Sequence, residues 1–206
     1  LNQQEIFWSG QFGNEYTDRN TLINQSTLEK FGVSRAAMNK QFLDTLDIKT
    51  VLEVGCNRGE QLSVLEYHYP LLNLYGIDIN EHALSEARQK DFNIIKGSAL
   101  NIPFKSNYFD LVFTSGVLIH IAPDNLFKIM SEIYRCSKRY IWGMEYFSPN
   151  CQEIKYRNND GFLWKNDFSK LYLDYFPNLE LIHEHFYDYQ DGSDNTDAMF
   201  LLEKKS

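Results

Sequence analysis

Between Val51 and Glu60 the chain reads VLEVGCNRGE, in which Glu53, Gly55 and Gly59 are spaced Glu-x-Gly-x-x-x-Gly. A strand that ends near an acid and passes through a glycine-bearing loop into a helix leaves backbone N–H groups open to close approach by a ligand. A dinucleotide-binding turn would carry glycines at positions 55, 57 and 60. Asn57 and Glu60 stand at two of these, and Glu60 would face a pyrophosphate with like charge. A P-loop is excluded, since no Gly-Lys-Ser/Thr follows. By itself the glycine pair also fits an ordinary strand-to-helix turn. Asp78, ending the strand in LYGIDIN, stands near the ~20-residue offset at which an acid accepts ribose hydroxyls in nucleotide sites. Its other reading is a helix N-cap, for which Asn80 competes.

A second set of residues is suited to proton transfer. His120 follows the run YFDLVFTSGVLI and is a candidate general base at neutral pH, or a packed loop residue between Ile119 and Ile121. Glu145 and Tyr146, at the end of a later apolar run, are the next candidates. His183 and His185 share one strand face as a metal pair would, but with no third ligand a solvated or core face is the better reading and no metal is expected. Lys155, Tyr156, Arg157, Trp164 and Lys165 mix cations with aromatics, as a site for an anionic acceptor or an exposed charged loop would.

Positioning these residues calls for alternating strands and helices. Short β-rich runs predict strands at 50–55, 74–78, 93–96, 111–115 and 140–145, with helices at 60–68, 81–90 and 125–138. A short helix over 167–175 and two closing strands, LELIHEHFYDY and AMFLLEK, follow a polar stretch. The loop between those strands predicts an antiparallel pair. Apolar residues at helical spacing over 21–47, from Leu22 and Ile23 to Leu43 and Leu46 with a break at Gly32, predict two helices ahead of the core. The expected fold is α/β: a doubly wound, mainly parallel seven-stranded sheet with N-terminal helices and a C-terminal antiparallel strand pair.

A chain of 206 residues, 43% hydrophobic and 15% aromatic, is expected to form one domain: a helical lid segment (1–47), a ligand-binding core (48–147), and an acceptor insertion with closing strands (148–206). The net charge of −8 argues against a general affinity for nucleic acid or an anionic membrane. Cys56, Cys136 and Cys151 have neither disulfide nor zinc spacing, and the opening LNQQEIFWSG lacks the pattern of an export signal, so a cytoplasmic location is expected. Leu1 in place of Met points to a missing or processed segment.

The ordered motifs from Val51 to Pro123 resemble those of class I S-adenosylmethionine-dependent methyltransferases, which have a Rossmann-like fold. Asn57 replaces the usual middle glycine of the first motif, a mild departure because Asn tolerates left-handed backbone. The resemblance implies S-adenosyl-L-methionine as cofactor. Glu53, Gly55, Asn57 and Gly59 would surround its methionine end, Asp78 its ribose and Ile79 its adenine. Ser98 and Ala99 would reach the adenine edge, and Ser115, Gly116 and Val117 would complete the wall.

More narrowly, FWSGQFGNEYTDRN, EIKYRNNDGFLWKNDF and AMFLLEK are similar to a group of pseudaminic acid biosynthesis-associated methylases. Asn158 and Asn159 stand where that group carries Gly-His. The likeness implies that Tyr16 and Arg19 approach the cofactor, with Arg19 pairing its methionine carboxylate. Trp8 would cover the site, and Tyr156, Arg157, Trp164 and Lys165 would bind the acceptor. It also implies surface-polysaccharide biosynthesis, with O-methylation of a sugar, sugar nucleotide or phosphate-type modification. N-methylation of an amino sugar and non-catalytic cofactor binding are the alternatives. Of these, an alcohol acceptor gains most from a base such as His120.

Overall fold

The computed structural model of the chain describes residues 1–20 and 23–205. Thr21 and Leu22, where the first predicted helical stretch begins, lie outside them, as does the Ile23 side chain. Four helices precede the sheet: α1 (Gln3–Ser9), α2 (Gln11–Arg19), α3 (Ile23–Phe31) and α4 (Arg35–Leu43). The last two match the predicted pair, and Gly32 separates them in a left-handed conformation at φ 70°. The first two have no counterpart among the predicted helices. Asn2 and Glu5 form a reciprocal capping box at the start of α1, each side chain accepting the other's amide at 2.8 Å. The aromatic residues then meet across the Gly10 break, with Trp8 ring centroids 5.6 Å from Phe12 and 5.3 Å from Tyr16.

The core alternates β1 (Thr50–Val54), α5 (Glu60–His68), β2 (Asn73–Asp78), α6 (Glu81–Ala87), β3 (Asn93–Lys96), β4 (Phe109–Ser115), α7 (Pro123–Cys136) and β5 (Ser137–Tyr146). A two-stranded antiparallel pair follows, β6 (Gln152–Glu153) with β7 (Trp164–Lys165). Then come α8 (Phe168–Tyr175), β8 (Leu179–Asp188) and β9 (Thr196–Lys204). The seven-stranded sheet has the order β3-β2-β1-β4-β5-β9-β8, with β1 to β5 parallel and β9 antiparallel to both neighbours. This is the expected doubly wound sheet with its antiparallel closing pair.

Period-two alternation divides the core. Leu52, Val54, Val112 and Ile141 pack on one face with Leu126, Ile129, Met130 and Ile133 of α7, while Val51, Leu111, Phe113 and Trp142 pack on the other with Met38, Phe42, Leu62 and Leu65. Chain order reverses between β1 and β4, and in open α/β sheets such a reversal opens a crevice at the carboxyl ends of the strands.

Some boundaries differ from those expected. Helix α7 stops at Cys136, and the chain enters β5 at once because Ser137 pairs with Phe109 through a register shift, so Lys138 belongs to a strand. Helix α6 ends at Ala87, where Gln89 and Lys90 donate to Glu86 and Ala87 in tighter three-residue turns. Among the described residues no helix is long and apolar enough to cross a membrane.

Candidate active site

The crevice is a cavity of about 560 Å³ at the strand ends, within the usual range for small-molecule sites. The turn after β1 forms its floor. Gly55 is left-handed at φ 75° and sits so close to Val117 that a Cβ would come within 2.6 Å of Cγ2. Asn57 also takes positive φ, 47°, the conformation expected for its place in the motif. Gly59 does not line the cavity; at φ 74° it is the N-cap of α5.

Asp78 ends β2 and lines the cavity. Its Oδ2 accepts the Asn57 amide and its Oδ1 the Asn80 amide, both at 2.8 Å. Asn80, not Asp78, is the N-cap of α6, accepting Ala83 N–H at 2.9 Å. The Ile79 amide also bonds this carboxylate, which offers about four acceptor positions, so part of its capacity remains for a hydroxyl. Burial raises the pKa of Asp78, against the pull of these amides. Ile79, Ser98 and Ala99 continue the wall, as do Ser115 at the end of β4 and Gly116 and Val117 beyond it.

Glu53, Gln61 and Arg19 also line the crevice. Glu53 is buried, and burial pushes its carboxyl well above the usual carboxylate range. Glu53 Oε2 and Gln61 Oε1 are buried acceptors without a hydrogen-bond partner, and such groups are rarely left unsatisfied. They suit an ammonium. Arg19 makes no ion pair among the described residues; its guanidinium lies 5.2 Å from the Phe12 and Tyr16 ring centroids, free to take a carboxylate. A hydroxyl acceptor, ammonium acceptors and a guanidinium along one crevice fit the ribose, amine and carboxylate of S-adenosyl-L-methionine.

The mouth is aromatic. Trp8 and Tyr16 line it, and His120 sits between Trp8, at 4.4 Å, and Tyr156, at 5.1 Å between ring centroids. His120 Nδ1 lies 2.7 Å from the Phe162 carbonyl oxygen. A carbonyl only accepts, so the proton is on Nδ1 and Nε2 carries the lone pair. Burial lowers the pKa of His120 to about 4, so the ring is neutral at physiological pH. The Tyr16 pKa is raised, first by burial and then by the neighbouring Tyr156.

Several predicted site residues stand off the cavity. Glu145 is buried, and its oxygens accept Val117 and Ile119 amides. Tyr146 packs 6.4 Å from Tyr189, and burial raises it to about 12. Arg157 is exposed on a turn tip at φ 47°; Trp164 is buried in β7; Lys165 bonds Asn195. Of the four residues assigned to the acceptor from this insertion, none lines the cavity, and only Tyr156 packs on residues that do, His120 and Trp8. His183 packs on Phe42 and His185 on Tyr187, at 4.4 and 4.5 Å.

The structure adds residues that the motifs passed over. Gln61 occupies the second position of α5, directly after the glycine turn, where its place alone could have marked it. Arg35 left no signal beyond a charge among apolar neighbours. Its buried guanidinium donates to Ser115 Oγ at 3.0 Å and to Asn39 Oδ1 at 3.1 Å. Burial lowers its pKa to about 10 against the influence of Glu53.

Fold and crevice together resemble those of class I methyltransferase domains. Residues 52–140 match the family described as "Methyltransferase domain". The chain is 32% identical over 98 residues to the demethylmenaquinone methyltransferase of Geobacillus sp. (strain WCH70), covering 44% of this chain and 41% of the relative. It is 24% identical over 107 residues to the malonyl-[acyl-carrier protein] O-methyltransferase of Herminiimonas arsenicoxydans, covering 52% and 41% respectively. The chain thus matches under half the length of either curated relative. A solved S-adenosylmethionine-dependent methyltransferase from Anabaena variabilis ATCC 29413 superposes with a TM-score of 0.71 at 13% identity, covering 100% of this chain and 96% of that one. S-adenosyl-L-methionine is the methyl donor that the partners along this crevice fit.

Proposed function

We propose that the protein O-methylates a hydroxyl of a small carbohydrate acceptor, free or nucleotide-borne, in bacterial surface-polysaccharide biosynthesis in the cytoplasm. One observation carries the reading: His120 presents an unprotonated Nε2 on a ring that lines the mouth of the crevice. An alcohol needs a group to take its proton, whereas a phosphate oxygen is already anionic. The sequence likeness to sugar-associated methylases at both ends of the chain supports the acceptor class.

S-adenosyl-L-methionine, when bound, supplies a methyl carbon activated by its sulfonium. Asp78 would hold its ribose, Glu53 and Gln61 its ammonium, and Arg19 its carboxylate. Helices α1 and α2 act as the lid, with Trp8 and Tyr16 excluding water from the mouth. His120 takes the acceptor proton at Nε2, while the Phe162 carbonyl keeps Nδ1–H in place and favours the imidazolium as it forms. Most of the remaining task is alignment.

A second reading, N-methylation of an amino sugar, is favoured by the charge of the lining. Glu5, Glu29, Glu53, Glu60 and Asp78 stand there against Arg19 and Arg58. A panel of neutral sugars, nucleotide sugars, sugar phosphates and amino sugars, assayed for the mass gain of one methyl, separates the two. Methylation at oxygen that collapses in His120→Ala supports the first reading, and methylation at nitrogen alone replaces it with the second. S-adenosylhomocysteine binding with no transfer to any sugar rejects the carbohydrate class.

A further inference from the structure

Glu145 is 1% exposed near the end of β5, beside the cavity wall but not on it. Its two oxygens serve two different amides of the turn that follows β4. Oε1 accepts from Val117 at 3.2 Å and Oε2 from Ile119 at 3.3 Å. The preceding residue, Met144, accepts the Gly116 amide at 2.9 Å, so consecutive residues of β5 grip consecutive residues of the turn.

That turn has two working ends. Val117 packs against Gly55 on the cofactor floor. His120, one residue beyond Ile119, stands at the acceptor mouth and is fixed from its far side by Phe162. A shift of the turn would therefore move the cofactor wall and the imidazole together. We infer that Glu145 is a positioning residue for methyl transfer, its ionised carboxylate clamping the Val117–Ile119 turn so that the bound cofactor and His120 keep one spacing. The assignment rests on the cofactor and His120 roles proposed above, and its cofactor half stands whichever acceptor the enzyme uses.

The clamp depends on charge. An ionised carboxylate is acceptor-only and can hold both amides, whereas protonation turns one oxygen into a donor and weakens its hold on an N–H. Thr114 on β4 and the Leu118 amide also bond the carboxyl; among the described residues Arg35 on α4, Tyr172 on α8 and Tyr146 on its own strand interact with it electrostatically. Its register partner on β9, Ala198, is uncharged. Burial raises Glu145 to about 7 in spite of these bonds, which puts the change between the two states near neutrality.

Calorimetric titration with S-adenosylhomocysteine at pH 6, 7 and 8 tests the assignment without an acceptor, alongside amide exchange at Val117 and Ile119. Wild-type affinity should rise with pH through about 7. Glu145→Gln, which keeps the shape but not the charge, should flatten that dependence to the part carried by Glu53 and Asp78 and bind about tenfold more weakly at pH 8, with faster exchange at both amides. Glu145→Ala should be weaker still. A folded Glu145→Gln protein that binds as wild type does at every pH, or retains the wild-type pH dependence, would overturn the assignment. If Glu145→Ala does not fold, Glu145→Gln and the wild-type series decide.

Discussion

His120 donates its Nδ1–H to the Phe162 carbonyl oxygen across 2.7 Å, joining the turn after β4 to the insertion after β5. Phe162 in turn stacks on Phe7 of α1, with ring centroids 3.9 Å apart. One imidazole is thus tied to the core, the insertion and the N-terminal helices at once. Its tautomer is a consequence of that three-way packing and not of its own sequence position.

The pH behaviour of His120 follows from its burial. Its folded pKa of about 4 lies below the ordinary 6.5, so the neutral, proton-accepting form persists in the fold down to about pH 4. As pH falls below 6.5 the unfolded chain binds a proton that the fold resists, so this residue's contribution lowers stability progressively until about pH 4. Urea melts at pH 7 and pH 5 should show a smaller acid loss in His120→Phe than in wild type. An equal loss in both would remove the residue from this role.

Asp78→Ala should weaken S-adenosylhomocysteine binding by roughly 10- to 100-fold, because it removes the hydroxyl acceptor and the partner of the Asn57 and Asn80 amides together. Asp78→Asn keeps one acceptor oxygen and should fall between the two. Calorimetry on both variants, with circular dichroism to confirm folding, checks the order. Unchanged affinity in Asp78→Ala would place the ribose elsewhere.

The floor and one wall of the crevice could be read from the chain because they are local. Gly55, Asn57 and Asp78 owe their places to one strand-turn-helix unit and its neighbour, and the period of the apolar residues fixes both. The acceptor half depends on pairings between distant segments. Trp164 looked like an acceptor-binding residue, yet pairing of β7 with β6 turns it into the core. Glu145 looked like a strand-end acid, and only the fold of the turn after β4 shows that its oxygens are occupied by amides. The capping box of Asn2 and Glu5 was present in the letters and would have announced α1.

Gly55→Ala should lower stability by about 1–3 kcal/mol, since the new methyl meets Val117 Cγ2 at 2.6 Å and the residue must hold φ 75°. Pairing it with Val117→Ala should recover only the steric part, leaving the backbone strain. Denaturant melts of the two single variants and the double give the coupling directly. Strict additivity would show that the two side chains do not meet.

The N-terminal helices are attached to the crevice wall through Asn80. Its Nδ2 donates to the Trp8 carbonyl and to Asn14 Oδ1, each at 2.9 Å, while its Oδ1 caps α6. Gly13 packs so tightly there that a Cβ would fall 2.6 Å from the same Nδ2. Asn80→Asp keeps the cap but cannot donate to α1 and α2, so it should release the helices without unravelling α6. His82 and Asp18, 2.6 Å apart, offer a second attachment on an exposed surface, where a single pair contributes little. The expected result is faster limited proteolysis within residues 1–20 for Asn80→Asp, little change for Asp18→Ala, and partial protection of both by saturating S-adenosylhomocysteine. Equal cleavage of wild type and Asn80→Asp would mean that the aromatic contacts of Phe7 and Trp8 hold the segment without this amide.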